Sequence, residues 1–172
     1  MRERTAQAHA DVDEAIGALD TMESYRSYLA SLYAFRKPIE DRLAETTLPA
    51  ELGPWRPRMI ADAIAGDMTD LGIAVPAATR FPFPLDGDAL FGTLYVLEGS
   101  SLGARVLYKR AEALGLNESF GARHLALQSG DIEGWRGFLS VLETVEPFDL
   151  GSAVAASNKA FATAHDAFLK AV

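Results

Sequence analysis

The sequence predicts an all-α fold, and two observations carry that prediction. Apolar residues recur at spacings of three and four along most of the 172-residue chain, the pattern of helices with one buried stripe. No segment alternates β-branched and polar residues for long enough to read as a strand, so no sheet is expected. The length is in the single-domain range and suffices for one substantial core, so residues 1–172 read as one domain. The breaks between helices are too short for linkers, and no internal repeat is present.

Thr5, Ala8, His9, Val12, Ile16 and Leu19 form the inward stripe of a first helix, whose end Gly17 loosens. A second helix is expected from about Glu23 to Ala44, with Pro38 bending or breaking it. Residues 46–57 read as a loop, and Pro57 suits the first turn of a third helix that stops at Gly72. Prolines 76, 82 and 84 exclude regular helix over residues 73–85. Asp86 or Asp88 then caps a long fourth helix running to about Leu114 and ending at Gly115. Residues 116–129 read as a connection holding one short turn. Asp131 caps a fifth helix that Pro147 closes, and a last helix runs from about Ser152 to the end, presenting Val154, Phe161, Ala164, Phe168 and Leu169.

Composition removes several function classes. The chain has no cysteine, which excludes disulfides, thiolate metal sites and cysteine nucleophiles. Its net charge of -8 disfavours general binding to nucleic acid. No apolar run approaches the roughly 18–20 residues of a bilayer span. The polar start Met1-Arg2-Glu3-Arg4 lacks the apolar core of a secretion signal, so a cytoplasmic location is expected and no membrane partner.

Two constellations remain. His9 lies on the first helix with Asp13 four residues on, where a helical carboxylate reaches back to one ring nitrogen and leaves the other as a metal donor. On the fourth helix Gly92, Gly99 and Gly103 fall within about 20° of a common direction at 100° per residue. A helix that accepts three interior glycines, each costing about 1 kcal/mol against alanine, calls for close backbone approach or tight packing on that face. Gly99-Ser100-Ser101 is also a composition at which helices kink. The other candidates are poorer. His124 and His165 read as surface or hydrogen-bonded residues, no Glu-x-x-His pair supports a di-iron bundle, and Ser100 and Ser101 lack the setting of a nucleophile elbow. Arg56, Arg58, Arg105, Lys109 and Arg110 are candidates for a basic area that would dock a small acidic electron carrier.

Arg2-x-x-Thr5-x-x-x-His9, followed by Gly92-x-x-Tyr95-Val96-Leu97-Glu98-Gly99-Ser100-x-Leu102-Gly103 and by the aromatics of the last two helices, resembles the haem oxygenase family. The resemblance is to its short bacterial members, often found alongside bacteriophytochromes, and covers most of the chain. It implies that His9 is the axial ligand of haem iron, with Asp13 accepting its hydrogen bond. Gly99 and Gly103 would cover the opposite haem face, Arg2 and Arg136 would pair with the propionates, and Phe161 and Phe168 would line the pocket, with Thr5 and Tyr95 part of the matching motifs. Two positions depart from the family pattern. Ala104 follows Gly103 where a second glycine is common, and Ser100 stands where well-studied members carry an aspartate that orders water.

The implied activity is cleavage of haem, at once substrate and cofactor, to biliverdin, carbon monoxide and ferrous iron with dioxygen. No dinucleotide fingerprint follows a strand, so no flavin or nicotinamide is expected, and electrons would come from a separate reductase or small acidic carrier. A bacteriophytochrome is the candidate recipient of the bilin. Two alternatives stand beside it: a haem carrier without degrading activity, and a cofactor-free regulator that keeps only the fold.

Overall fold

A computed structural model describes residues 1–77 and 79–170. Among the described residues there are eight α-helices and one 3₁₀ turn, Ala50–Leu52, and no strand beyond isolated bridges at Asn117. The helices are α1 (Arg2–Ile16), α2 (Met22–Glu45), α3 (Ala61–Asp70), α4 (Gly87–Gly99), α5 (Ser101–Ala113), α6 (Arg123–Ser129), α7 (Ile132–Leu142) and α8 (Leu150–Leu169). None is long and apolar enough to cross a membrane.

α1 ends where Gly17 takes a φ of 70° and donates its N–H to the Asp13 carbonyl at 3.2 Å. Leu19, expected on the helical stripe, therefore lies beyond the helix and enters the core from the following turn. Thr21 and Ser24 form a reciprocal capping box at the start of α2. Of the expected bend or break at Pro38 there is no break, and α2 runs unbroken through it over its 24 residues. Burial of Tyr25, Leu29, Ile39 and Leu43 on its core side offsets the lost backbone hydrogen bond.

α3 begins at Ala61, not Pro57, because its cap comes from another helix: Glu40 on α2 accepts the N–H groups of Ile60 and Ala61. The long fourth helix is two helices, α4 and α5, divided at Ser100. Asp86 precedes α4 as expected but makes no side-chain cap bond. The segment read as a connection contains α6, whose first N–H groups, those of Arg123 and His124, are accepted by Asp67 of α3. Asp131 caps α7 through the Gly134 N–H, and Asp149 caps α8, which begins at Leu150, two residues before the expected start. α8 reaches Leu169, which is exposed and not on the inward face; residues 171–172 of the expected helix lie outside the described residues.

α8 packs along α4 and against α1 and α2, while α5 lies against α6. Gly92 serves the α4 to α8 contact. A Cβ there would run into the Ala153 carbonyl, and Ser157 Oγ donates to the Gly92 carbonyl at 2.8 Å. The expected common face of three glycines does not exist, since Gly92 faces α8, Gly99 faces Trp135, and the break at Ser100 puts Gly103 on a different helix.

Candidate active site

One cavity of about 1010 Å³ opens between α1 on one side and the α4 to α5 junction on the other, with α2, α7 and α8 closing it. That is the upper end of the roughly 300–1,000 Å³ typical of ligand and cofactor sites. Its lining is mostly apolar, and the polar groups are few.

On the α1 wall His9 and Asp13 both line the cavity. The i, i+4 spacing places His9 Nδ1 3.0 Å from Asp13 Oδ2, which favours the tautomer protonated at Nδ1 and leaves the Nε2 lone pair available. The imidazole side chain is 58% exposed, so the helix presents it at the open side of the cavity and not within the core. Phe161 of α8 meets its ring edge-on, with centroids 5.7 Å apart. Thr5 is buried, and its hydroxyl donates to the carbonyls of Met1 and Arg2 at 3.3 Å, tying down the first turn that carries Arg2 to the cavity rim.

Tyr95 faces that rim from α4 and packs edge-on against Trp135, with centroids 5.4 Å apart. Burial raises its pKa, and the Arg2 charge opposes that rise. A cation and a phenolic hydroxyl thus stand together at one edge, a pair suited to a carboxylate.

The opposite wall is backbone. A Cβ built on Gly103 would find nothing within 4 Å, and one on Gly99 would meet only the Trp135 ring at 3.7 Å. Ser100, between them, spends its hydroxyl on the fold: it donates to the Leu97 carbonyl at 2.6 Å and accepts from Gln128 Nε2 at 2.9 Å. Ala104 lines the same wall and is 1% exposed.

One expected site residue, Arg136, is not brought to the cavity; it lies on the solvent face of α7, paired with Glu133 at 2.8 Å. An i, i+3 partner and an outward helical face account for its direction. Phe168 does line the cavity, stacked on Tyr28 with centroids 6.0 Å apart. Sequence reasoning missed Gln128, Trp135 and Tyr28 as lining groups. The signal for Trp135 was its place beside Arg136; Gln128 had none, because α6 was read as a connection.

His124 is not a surface residue. It is fully buried, with Nδ1 2.8 Å from Asp67 Oδ2 and Nε2 3.3 Å from the Tyr28 hydroxyl. Both nitrogens are used. Among the described residues no group of three or more histidine, aspartate or glutamate side chains is placed to hold a metal ion.

The residues present fit a haem. The cavity has the volume, His9 offers an imidazole held by a carboxylate, the facing wall lacks side chains at Gly103, and Arg2 with Tyr95 suits a propionate.

Comparison with known proteins agrees with this geometry. No family model matches the chain. It is 36% identical over 128 residues to haem oxygenase PigA of Pseudomonas aeruginosa, a match spanning 72% of this chain and 64% of that protein. It is 28% identical over 144 residues to haem oxygenase of Xanthomonas campestris pv. campestris, with 83% and 80% covered. The crystal structure of the NO- and CO-bound haem oxygenase of Neisseria meningitidis superposes with a TM-score of 0.81 at 26% identity, covering 99% of this chain and 88% of that one. By these matches and its all-α architecture, the chain is similar in sequence and in fold to haem oxygenases.

Proposed function

We propose that this protein binds haem between α1 and the α4 to α5 junction and cleaves it oxidatively, releasing biliverdin, carbon monoxide and ferrous iron. The observation that carries the reading is the opposition of His9, fixed by Asp13, to the bare backbone at Gly103 across one large cavity. Haem, when bound, supplies both the iron that activates dioxygen and the macrocycle that is cut.

The chain's own residues do the rest. His9 Nε2 is the iron donor, and the Asp13 carboxylate at Nδ1 makes that nitrogen more basic. Arg2 and Tyr95 anchor a propionate and so set the rotation of the macrocycle. The Gly99 to Gly103 backbone stands close over the opposite face, and the apolar walls from Phe161, Trp135 and Leu139 exclude bulk water. A family-typical second propionate partner is absent from Arg136, which leaves Arg2 as the main cationic anchor at this cavity.

Electrons come from a separate reductase or small acidic carrier. Arg105 and Lys109 on α5, beside the exposed Leu102 and Val106, supply a basic and apolar face next to the cavity rim. Arg58 is instead held by Asp131, and Arg110 is bonded to the Gly17 carbonyl. Transfer of the bilin to a bacteriophytochrome belongs to the same proposal, on the motif resemblance alone.

One observation favours a second reading, a haem carrier: the Ser100 hydroxyl is committed to Leu97 and Gln128, which weakens it as an organiser of water. Haem titration of wild type and His9→Ala, followed by reductant under air, separates the two. Bleaching of the haem bands to a bilin spectrum supports cleavage; a persistent ferrous-oxy or ferric spectrum means carriage.

A further inference from the structure

The junction between α4 and α5 is held from behind by a residue that does not touch the cavity. Arg36 of α2 is 1% exposed, and its guanidinium serves three acceptors. Nε donates to Glu40 Oε1 at 2.7 Å, Nη1 to the Leu97 carbonyl at 3.2 Å, and Nη2 to the Arg58 carbonyl at 2.8 Å.

Leu97 sits in the last turn of α4, where carbonyls lose their intrahelical partners. Side chains replace those partners. Ser100 Oγ donates to the same Leu97 carbonyl, and Ser101 Oγ donates to that of Glu98 at 2.7 Å. The Glu98 carboxylate, 5% exposed, turns away from the cavity and accepts the Arg58 N–H at 2.9 Å. Glu40 completes the lattice at the start of α3. The turn that carries Gly99 and Ser100 over the cavity is therefore pinned by a rigid planar fork reaching across from α2.

A buried ion pair is a poor means to stability, since well-packed apolar residues often serve as well or better. Its planar, multidentate geometry is a good means to fixed position. We propose that Arg36 is a positioning residue for this turn: by fixing the Leu97 carbonyl it sets how the Gly99 to Gly103 backbone stands over the macrocycle, and thereby which edge is cut. The inference rests on the haem-cleaving reading.

Two variants test it. Arg36→Lys keeps a charge for Glu40 but cannot serve Leu97 and Arg58 together; Arg36→Met combined with Glu40→Gln removes the charges while the amide oxygen still accepts an α3 N–H. In haem-free protein, amide exchange is expected to quicken at residues 97–103 while α8 keeps its protection. With haem bound, both variants are expected to retain affinity and to give a severalfold larger share of minor bilin isomers than wild type. Wild-type exchange at 97–103 together with a wild-type isomer distribution in Arg36→Lys overturns the positioning role, and that variant alone suffices if the paired one does not fold. Quickened exchange throughout the core would reduce Arg36 to a stability element and equally overturn it. Failure of the wild type to bind haem or form any bilin rejects the functional reading itself, and the positioning role with it.

Discussion

Two histidine and aspartate pairs occupy this molecule, and they differ in what faces the second ring nitrogen. In the pair on α1, His9 and Asp13 are four residues apart and more than half exposed, with Asp13 on Nδ1 and the cavity beside the ring. In the other, His124 and Asp67 are 57 residues apart and 0% exposed, with the Tyr28 hydroxyl on Nε2. The same two side chains thus leave a ring beside an open cavity in one place and make a closed structural network in the other. Which of these a histidine becomes depends on the third partner, and burial decides whether that partner is protein or ligand.

The largest effect is expected at the buried pair. Asp67 accepts the N–H groups of Arg123 and His124, the His124 ring and the Arg123 guanidinium, all within 3.1 Å. Asp67→Ala leaves these donors without their acceptor and uncaps α6, which should cost ~3–5 kcal/mol in urea unfolding of the haem-free protein. Haem affinity of the fraction that stays folded should change little. A loss below ~1 kcal/mol would show that water replaces the carboxylate and that the network is not closed.

At the open pair the effect moves from folding to binding. His9→Ala removes the nitrogen available to iron, so haem affinity should fall on the order of 100-fold, about 3 kcal/mol, and bilin formation should cease. Thermal stability of the haem-free protein should hold, since changes at exposed positions stay within about 0.5 kcal/mol. Retained turnover in His9→Ala would place the ligand elsewhere and end the contrast.

The contrast also explains what the sequence disclosed. The fold class and the His9 and Asp13 pair follow from local spacing, because their partners lie within one or two turns; Gly99-Ser100-Ser101 signals a kink, but its full division of the expected long helix into α4 and α5 was not legible. The caps of α3 and α6 were illegible, since Glu40 and Asp67 reach them from 20 or more residues away and no periodicity encodes such a pairing. Of the two readings of His124, surface or hydrogen-bonded, the second holds, and local sequence left the choice open because its nearest carboxylate in space is far away in sequence. A straight helix puts Gly92 in line with Gly99 and Gly103 and leaves close approach and tight packing equally open; the α8 backbone makes it packing. Arg136 failed differently, its outward direction being a property of how α7 is rotated, which an amphipathic pattern with Trp135 beside it left open.

A smaller change sharpens the open pair. Asp13→Asn keeps the shape and an acceptor oxygen but removes the charge from the hydrogen-bond partner of the ring. Haem affinity or turnover should fall by ~10-fold, within the 10–100-fold range of such outer partners. The ferric haem spectrum should shift as the axial nitrogen donates less. An unchanged spectrum would mean that the exposed carboxylate is satisfied by solvent and leaves the imidazole alone.

The smallest effect is a pH dependence that belongs to the buried pair. Burial lowers the His124 pKa, and the bond and charge of Asp67 oppose but do not cancel it. The native ring stays neutral, donating from Nδ1 to Asp67 and accepting the Tyr28 hydroxyl at Nε2. In the unfolded chain the same ring titrates near 6.5. As pH falls through that value the unfolded state takes up a proton that the native state refuses, so this contribution to stability is intact above it and is lost toward the lowered native pKa, at up to ~1.4 kcal/mol per pH unit. Glu98 acts in the opposite sense, because burial raises its pKa and the native state there binds a proton at higher pH than the unfolded chain. Urea titrations of wild type and His124→Asn between pH 7.5 and 5.5 isolate the histidine by difference, and the wild type should lose stability more steeply on acidification. Equal slopes would mean that the native ring takes up the proton as readily as the unfolded one. Tyr28 could then no longer donate to Nε2, and the buried pair would be an ion pair with an unsatisfied neighbour instead of a closed network.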